Sequence, residues 1–260
     1  MTLPPRFDND FPSYLKDLSV KDINVYWFHP DFTQSRYPPG QEMSEACTLI
    51  CLLVAQRISQ SGLQLRSVEN CPMLRIFIAE SIVEGNKTHS QILRRGLVPH
   101  PYLNTEEALT YGGRRLRTLK EWKFQVFEER IGRKLYHDIQ TFLTDWYKKP
   151  KADTLIMLLI TCGRTILLLF QQQINMVTLF DSHSHVTTEN PHRGLVVAQA
   201  KFQKLHSLCD WYVDAVLNNC FNAQSDRYEL AFLYYSQSSK CCDACDNNNE
   251  KLHECGCKRS

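Results

Sequence analysis

TLIMLLITCGRTILLLFQQQINMVTLFDSHSH, residues 154–185, contains three short apolar runs and then two histidines that follow an aspartate. The runs TLIMLLITC (154–162), TILLLF (165–170) and INMVTLF (174–180) are too short for buried helices. Gly163-Arg164 and Gln171–Gln173 punctuate them, so they read as strands of an antiparallel meander. Downstream, AKFQKLHSLCDWYVDAVL (200–217) carries Phe202, Leu205, Leu208, Tyr212 and Val216 at helical spacing, and YELAFLYY (228–235) reads as a last strand.

Upstream of residue 154 the pattern is mostly helical. KLYHDIQTFLTDWYKKP (134–150) places apolar residues at 135, 139, 142, 143 and 146, and Pro150 closes it. A helix is expected from Pro72 to about Glu84, with face Leu74, Phe77, Ile78 and Ile82 and with Gly85 as its stop. A short one starts near Asn104 or Thr105, where Glu106 and Glu107 suit the positive end of the dipole, and ends at Gly112-Gly113. Within GRRLRTLKEWKFQVFEERIG (113–132), only KFQVF alternates like a strand. INVYWF (23–28) has strand composition and HPDFTQSRYPPGQ (29–41) reads as a loop. Beyond it, Ser44 suits an N-cap, and Cys47, Ile50, Cys51, Val54 and Ile58 follow as one apolar stripe. Helices first, then a meander, then one helix and one strand predict an α+β fold, a helical lobe on a mainly antiparallel sheet.

Bulk properties narrow the function classes. A chain of 260 residues with 43% hydrophobic content can bury one large core, so residues 23–236 are expected to form one domain. Residues 1–22, with a helical tendency in SYLKDL, read as a loosely held N-terminal segment, and residues 237–260 as a cysteine-rich tail. A net charge of only +2, with both signs interspersed, argues against a nucleic-acid partner. No apolar stretch is long enough for a membrane span, and the N-terminus lacks the pattern of a secretion signal. Eleven cysteines, an odd count with several inside apolar runs, point to a reducing compartment, the cytoplasm first and the nucleus as a second candidate.

The residues with the clearest chemistry are Cys47, Asp181 and His183. With Ser44 as cap, Cys47 falls in the first turn of its helix, where open N–H groups and the dipole favour a thiolate. Side chains two apart on a strand share a face, so Asp181 and His183 are expected side by side, the carboxylate orienting the ring. His185 continues the alternation as a rival base. An amide near the thiol completes an oxyanion site, and Gln34 and Gln41 are both available. Taken singly, a cysteine in a buried first turn is more often a small hydrophobe, and an aspartate at a strand end often caps local backbone; it is the chain order that unites them.

That order, glutamine, cysteine-led helix, helical lobe, apolar strands, Asp-x-His, then a helix and a final strand, resembles the papain-like cysteine peptidases. It is most similar to the herpesvirus tegument deubiquitinases, over roughly residues 25–236. The resemblance implies Cys47 as nucleophile, His183 as general base, Asp181 as its orienting acid and Gln34 as the oxyanion amide; Gln41 matches the amide spacing of the papain group instead. It also implies ubiquitin or a ubiquitin-like protein as the partner and no cofactor. Glu42 and Glu45 depart from the family's pre-cysteine pattern, and an acid beside the thiol opposes thiolate formation unless it points to solvent. Two readings therefore stand: a cysteine-dependent isopeptidase, or the same fold kept as a non-catalytic binding module. In the tail, Cys242, Cys245, His253, Cys255 and Cys257 offer zinc-type donors with few apolar residues to pack around them, and lipid-modified or reactive thiols are the other reading.

Overall fold

A computed structural model describes residues 11–41, 43–132, 134–223 and 225–236. Its centre is an eight-stranded sheet built from β1 (Tyr14–Asp17), β2 (Asn24–Phe28), β3 (Leu119–Phe127), β4 (Thr154–Thr161), β5 (Arg164–Gln171), β6 (Met176–Asp181), β7 (Val196–Lys201) and β8 (Tyr228–Tyr235). The spatial order is β1-β2-β7-β6-β5-β4-β8-β3, and every neighbouring pair is antiparallel. The expected meander is therefore present, and β7 extends it.

Helices cover both faces, which explains why β4 and β5 read as continuous apolar runs instead of alternating. Ile156, Leu158, Leu167 and Leu169 face the layer of α1 (Cys47–Ser61) and α2 (Pro72–Arg94). Leu155, Met157, Ile166, Leu168 and Phe170 face the layer of α4 (Lys134–Trp146) and α5 (Leu205–Trp211), the latter continued by a π-helical stretch, Tyr212–Asn218. The short α3 (Thr105–Tyr111) starts with a capping box in which Asn104 and Glu107 exchange backbone hydrogen bonds.

Four expectations need correction. Gly85 does not end α2, which continues to Arg94; a Cβ at Gly85 would lie 2.6 Å from Ile50 Cγ1, so the glycine marks the close crossing of α1 and α2. SYLKDL contains strand β1, which pairs with β2 and whose exposed side chains gave it a helical look. The strand at KFQVF starts earlier, at Leu119. The helical pattern placed from residue 200 begins after strand β7.

The α1–α2 connection is tied to the sheet by two buried glutamines. Gln171 Nε2 donates to Leu63 O (2.8 Å) while its Oε1 accepts from Leu65 N (2.9 Å). Gln199 Nε2 donates to Leu65 O (2.9 Å) and its Oε1 accepts from Val68 N (3.1 Å). Backbone groups that would be buried unpaired are thereby satisfied, and the helical layer that carries Cys47 is fixed against the strands that carry the acid.

Candidate active site

Cys47 is the first residue of α1, whereas an N-cap at Ser44 would make it the third. Ser44 is not the cap: its hydroxyl donates to Asn86 Oδ1 (2.5 Å) and accepts from Ala46 N (3.1 Å). Ala46 stands at the N-cap position with no side-chain cap bond, and the first turn contains no acid. The N–H groups that open this helix thus meet no capping side chain, and the thiol sits where an anion is favoured.

β6 ends at Asp181, so His183 lies just past the strand. Asp181 is fully buried, and one carboxylate oxygen organises the segment after it. Oδ1 accepts from the backbone N–H of His183 (3.0 Å) and faces its ring Nδ1 at 2.6 Å. Local backbone capping and ring orientation are therefore one interaction. With Nδ1 turned to the carboxylate, Nε2 is the ring nitrogen left for the thiol.

Electrostatics follow from these contacts. Burial pushes the Cys47 thiol up, but hydrogen bonding and charge from His183, with interactions from the backbone and side chain of Thr165, bring it below the ordinary thiol value. Burial pulls His183 down, and the charge and hydrogen bond of Asp181, with a contribution from Cys47, raise it to about 9. Asp181, penalised by burial, is held well below the usual carboxylate range by the charges of His183 and His185. The thiol is lowered and the imidazole raised, the opposite shifts that a thiolate–imidazolium pair requires. Cys51, one turn further along α1, is pushed well above the ordinary range by burial and donates to Thr165 O (3.4 Å), a packed thiol.

Gln34 is placed beside the histidine. Its backbone N–H donates to Ser182 O (2.9 Å), its Oε1 accepts from Ser182 Oγ (2.6 Å), and its Nε2 donates to Ser44 O (2.7 Å). Asn86 Nδ2 donates to Gln34 O (2.8 Å), which links α2 to the same network. Gln41 lies half-buried on the turn after Pro38-Pro39-Gly40, its N–H bonded to Pro38 O (3.0 Å). Glu45 is hydrogen-bonded to Tyr102, whose hydroxyl is raised first by the Glu45 charge and also by Cys47. The acid beside the thiol thus has its own partner, and the thiol stays lowered. Glu42 and the tail donors Cys242, Cys245, His253, Cys255 and Cys257 lie outside the described residues. Among the described residues, no group of three or more His, Cys, Asp or Glu side chains is arranged to hold a metal.

Sequence reasoning missed Thr165, Ser182, Asn86 and Tyr212. Ser182 was visible between Asp181 and His183. Thr165 opens an apolar run, Asn86 lies in mid-helix and Tyr212 in a helical stripe, so their roles depend on tertiary contacts.

The chain superimposes on the ubiquitin-specific protease encoded by murine cytomegalovirus tegument protein M48, solved in complex with a ubiquitin-based suicide substrate. The TM-score is 0.50 at 14% identity, over 80% of this chain and 85% of that one. The fold is papain-like. The Pseudomonas avirulence protein AvrPphB is also similar, with a TM-score of 0.41 at 12% identity over 74% of this chain and 95% of that one. No protein-family model matches the chain, and no curated protein matches it in sequence. No described helix is long and apolar enough to cross a membrane.

Proposed function

We propose that this papain-like chain is a cysteine-dependent isopeptidase that cleaves after the tail of ubiquitin or a ubiquitin-like protein. The observation that carries the hydrolase reading is the convergence of Cys47, His183 and Asp181, with the thiol lowered and the imidazole raised. The Cys47 thiolate attacks the scissile carbonyl, and the oxyanion is met by the opening N–H groups of α1 and by the second hydrogen of Gln34 Nε2. His183 then gives its proton to the leaving amine. Neutral His183 takes a proton from water, whose hydroxide attacks the thioester and expels the thiolate, which restores the thiolate–imidazolium pair while the released carboxylic acid gives its proton to solvent. Asp181 holds the ring throughout. The choice of Gln34 over Gln41 is supported by its bonds to Ser182 and Ser44 on either side of the thiol–imidazole pair.

The substrate class is supported by the likeness to a protease described as ubiquitin-specific. A reactive thiol needs reducing surroundings, so we place the protein in the cytoplasm or nucleus; Cys47, Cys51, Cys71, Cys162, Cys209 and Cys220 are all free thiols. Turnover of ubiquitin with a fluorogenic C-terminal amide tests the reading. The full chain is expected to release the fluorophore and Cys47→Ala to lose that activity with an unchanged circular dichroism spectrum. Equal turnover by Cys47→Ala refutes the mechanism, and no turnover by the folded wild type leaves the non-catalytic binding module.

A further inference from the structure

His185 is a second histidine on the same carboxylate, and the hydrolytic steps above do not use it. It is completely buried, as is Asp181. Its Nε2 lies 3.1 Å from Asp181 Oδ2, and its Nδ1 lies 2.7 Å from the carbonyl oxygen of Gly194. A carboxylate and a carbonyl oxygen are both acceptors only, whereas a neutral imidazole has one N–H and one lone pair. Both contacts are hydrogen bonds only if both ring nitrogens carry protons. Gly194 is itself held in place, because its N–H donates to Phe28 O (2.8 Å) and a Cβ there would stand 2.1 Å from His29 O.

The ring of His185 packs against Trp27 at 5.2 Å and Phe221 at 5.2 Å. Those rings also carry guanidiniums, Arg193 at 4.4 Å from Trp27 and Arg164 at 3.5 Å from Phe221, whose like charges oppose an imidazolium, so it is the Asp181 carboxylate that must hold the second proton. Arg193 shares its charge with Asp17 (3.5 Å), and Cys220 lies within reach of Arg193. On the carboxylate side the facing groups are Asp181, His183 on its other oxygen, and the hydroxyl of Tyr212, which donates to Asp181 Oδ2 (3.2 Å).

We propose that His185 is a positioning residue that stays doubly protonated and serves as the standing counter-ion of Asp181. This rests on the hydrolase reading above. In the resting site, thiolate and carboxylate balance two imidazoliums. After His183 has passed its proton to the leaving amine, the thioester and His183 are both neutral, and the Asp181–His185 pair still balances. The charges of these four groups thus sum to zero at both stages, and His183 is free to act as a base toward water because Asp181 does not have to hold a proton on it.

The test is the pH dependence of Cys47 alkylation by iodoacetamide, read by mass spectrometry of the full chain, with His185→Gln and His185→Lys. Loss of a positive charge near both groups moves the two inflections of the profile, thiolate formation and His183 deprotonation, to higher pH by about one unit. His185→Lys keeps the charge and is expected to hold them near the wild-type values. Inflections unmoved in folded His185→Gln overturn the proposal, whatever its melting temperature. Should that variant fail to fold, 15N-histidine spectra of the wild type decide. Two protonated ring nitrogens at His185 near neutral pH support the proposal, and a single neutral tautomer overturns it. Neither readout uses ubiquitin, so failure of the substrate reading is seen separately in the turnover assay.

Discussion

Asp181→Asn removes one charge and inverts one hydrogen-bonding preference at the centre of the site. Wild-type Asp181 accepts from the backbone of His183 and from Tyr212 and faces a ring nitrogen of each of His183 and His185. An asparagine offers one acceptor oxygen and turns an NH2 group toward donors that the carboxylate satisfied. The rise of His183 from 6.5 to about 9 is equivalent to about 3 kcal/mol in favour of the imidazolium. Asp181 is the leading cause of that rise, against the opposing effect of burial, and Cys47 supplies the remainder. Without the carboxylate, burial prevails and His183 becomes neutral near pH 7.5. The thiolate then loses its counter-ion, and alkylation of Cys47 by iodoacetamide at that pH should slow by about two orders of magnitude. Linkage gives a second readout. A histidine raised on folding contributes stability that is fully present below 6.5 and is lost as pH climbs through about 9. A carboxylate lowered on folding contributes above about 3.8 and fails as pH falls through its depressed folded value. The lowered Cys47 thiol contributes with the opposite slope, so the two members of the pair offset each other between pH 6.5 and 9, and the readable limb is the acidic one: wild-type melting temperature should fall as pH drops below about 3.8, and Asp181→Asn should lessen that fall. Wild-type alkylation rates at pH 7.5 in folded Asp181→Asn would refute the electrostatic account.

Three further outcomes follow. Gln34→Ala should reduce kcat on the ubiquitin amide by about 100-fold or more as an oxyanion donor is lost, whereas Gln41→Ala should leave it within a few-fold; the reverse ranking would move the oxyanion amide to Gln41. Gly85→Ala gains helix propensity but forces a methyl against buried Ile50, so a net loss of about 1 to 2 kcal/mol is expected in urea unfolding. A stabilised variant would contradict the close α1–α2 crossing. Gln199→Leu leaves Leu65 O and Val68 N without their side-chain partner, and a loss of about 2 to 3 kcal/mol should appear in the same assay. Unchanged stability would mean that the clamp on the α1–α2 connection contributes nothing.

The parts of the fold legible in the sequence were those whose local pattern and tertiary role coincide. β4, β5 and β6 are apolar because both of their faces are covered, and Asn104-x2-Glu107 is a capping box in sequence and in space. Cys47 was recognisable because it starts an apolar helical stripe after a polar loop. Ser44 misled by two positions because its hydroxyl is committed to Asn86 on another helix, a contact that spacing does not encode. Strand β7, VVAQAK, was hidden by alanines of low strand propensity and by Gln199, a polar residue whose partners are buried backbone groups. Gly85 has the composition of a helix stop, and only the approach of Ile50 shows why a glycine continues the helix there. His185 looked like a rival base by alternation. The chain leaves β6 at Asp181, so the two histidines reach opposite oxygens of one carboxylate instead of sharing a strand face.

The most direct test of the whole account is residue-resolved mapping of the adduct formed by the full chain with ubiquitin carrying a C-terminal propargylamide. One ubiquitin per chain, attached at Cys47 and lost on Cys47→Ala, is the predicted result. Attachment at another cysteine, or none in a folded and alkylatable protein, would contradict it.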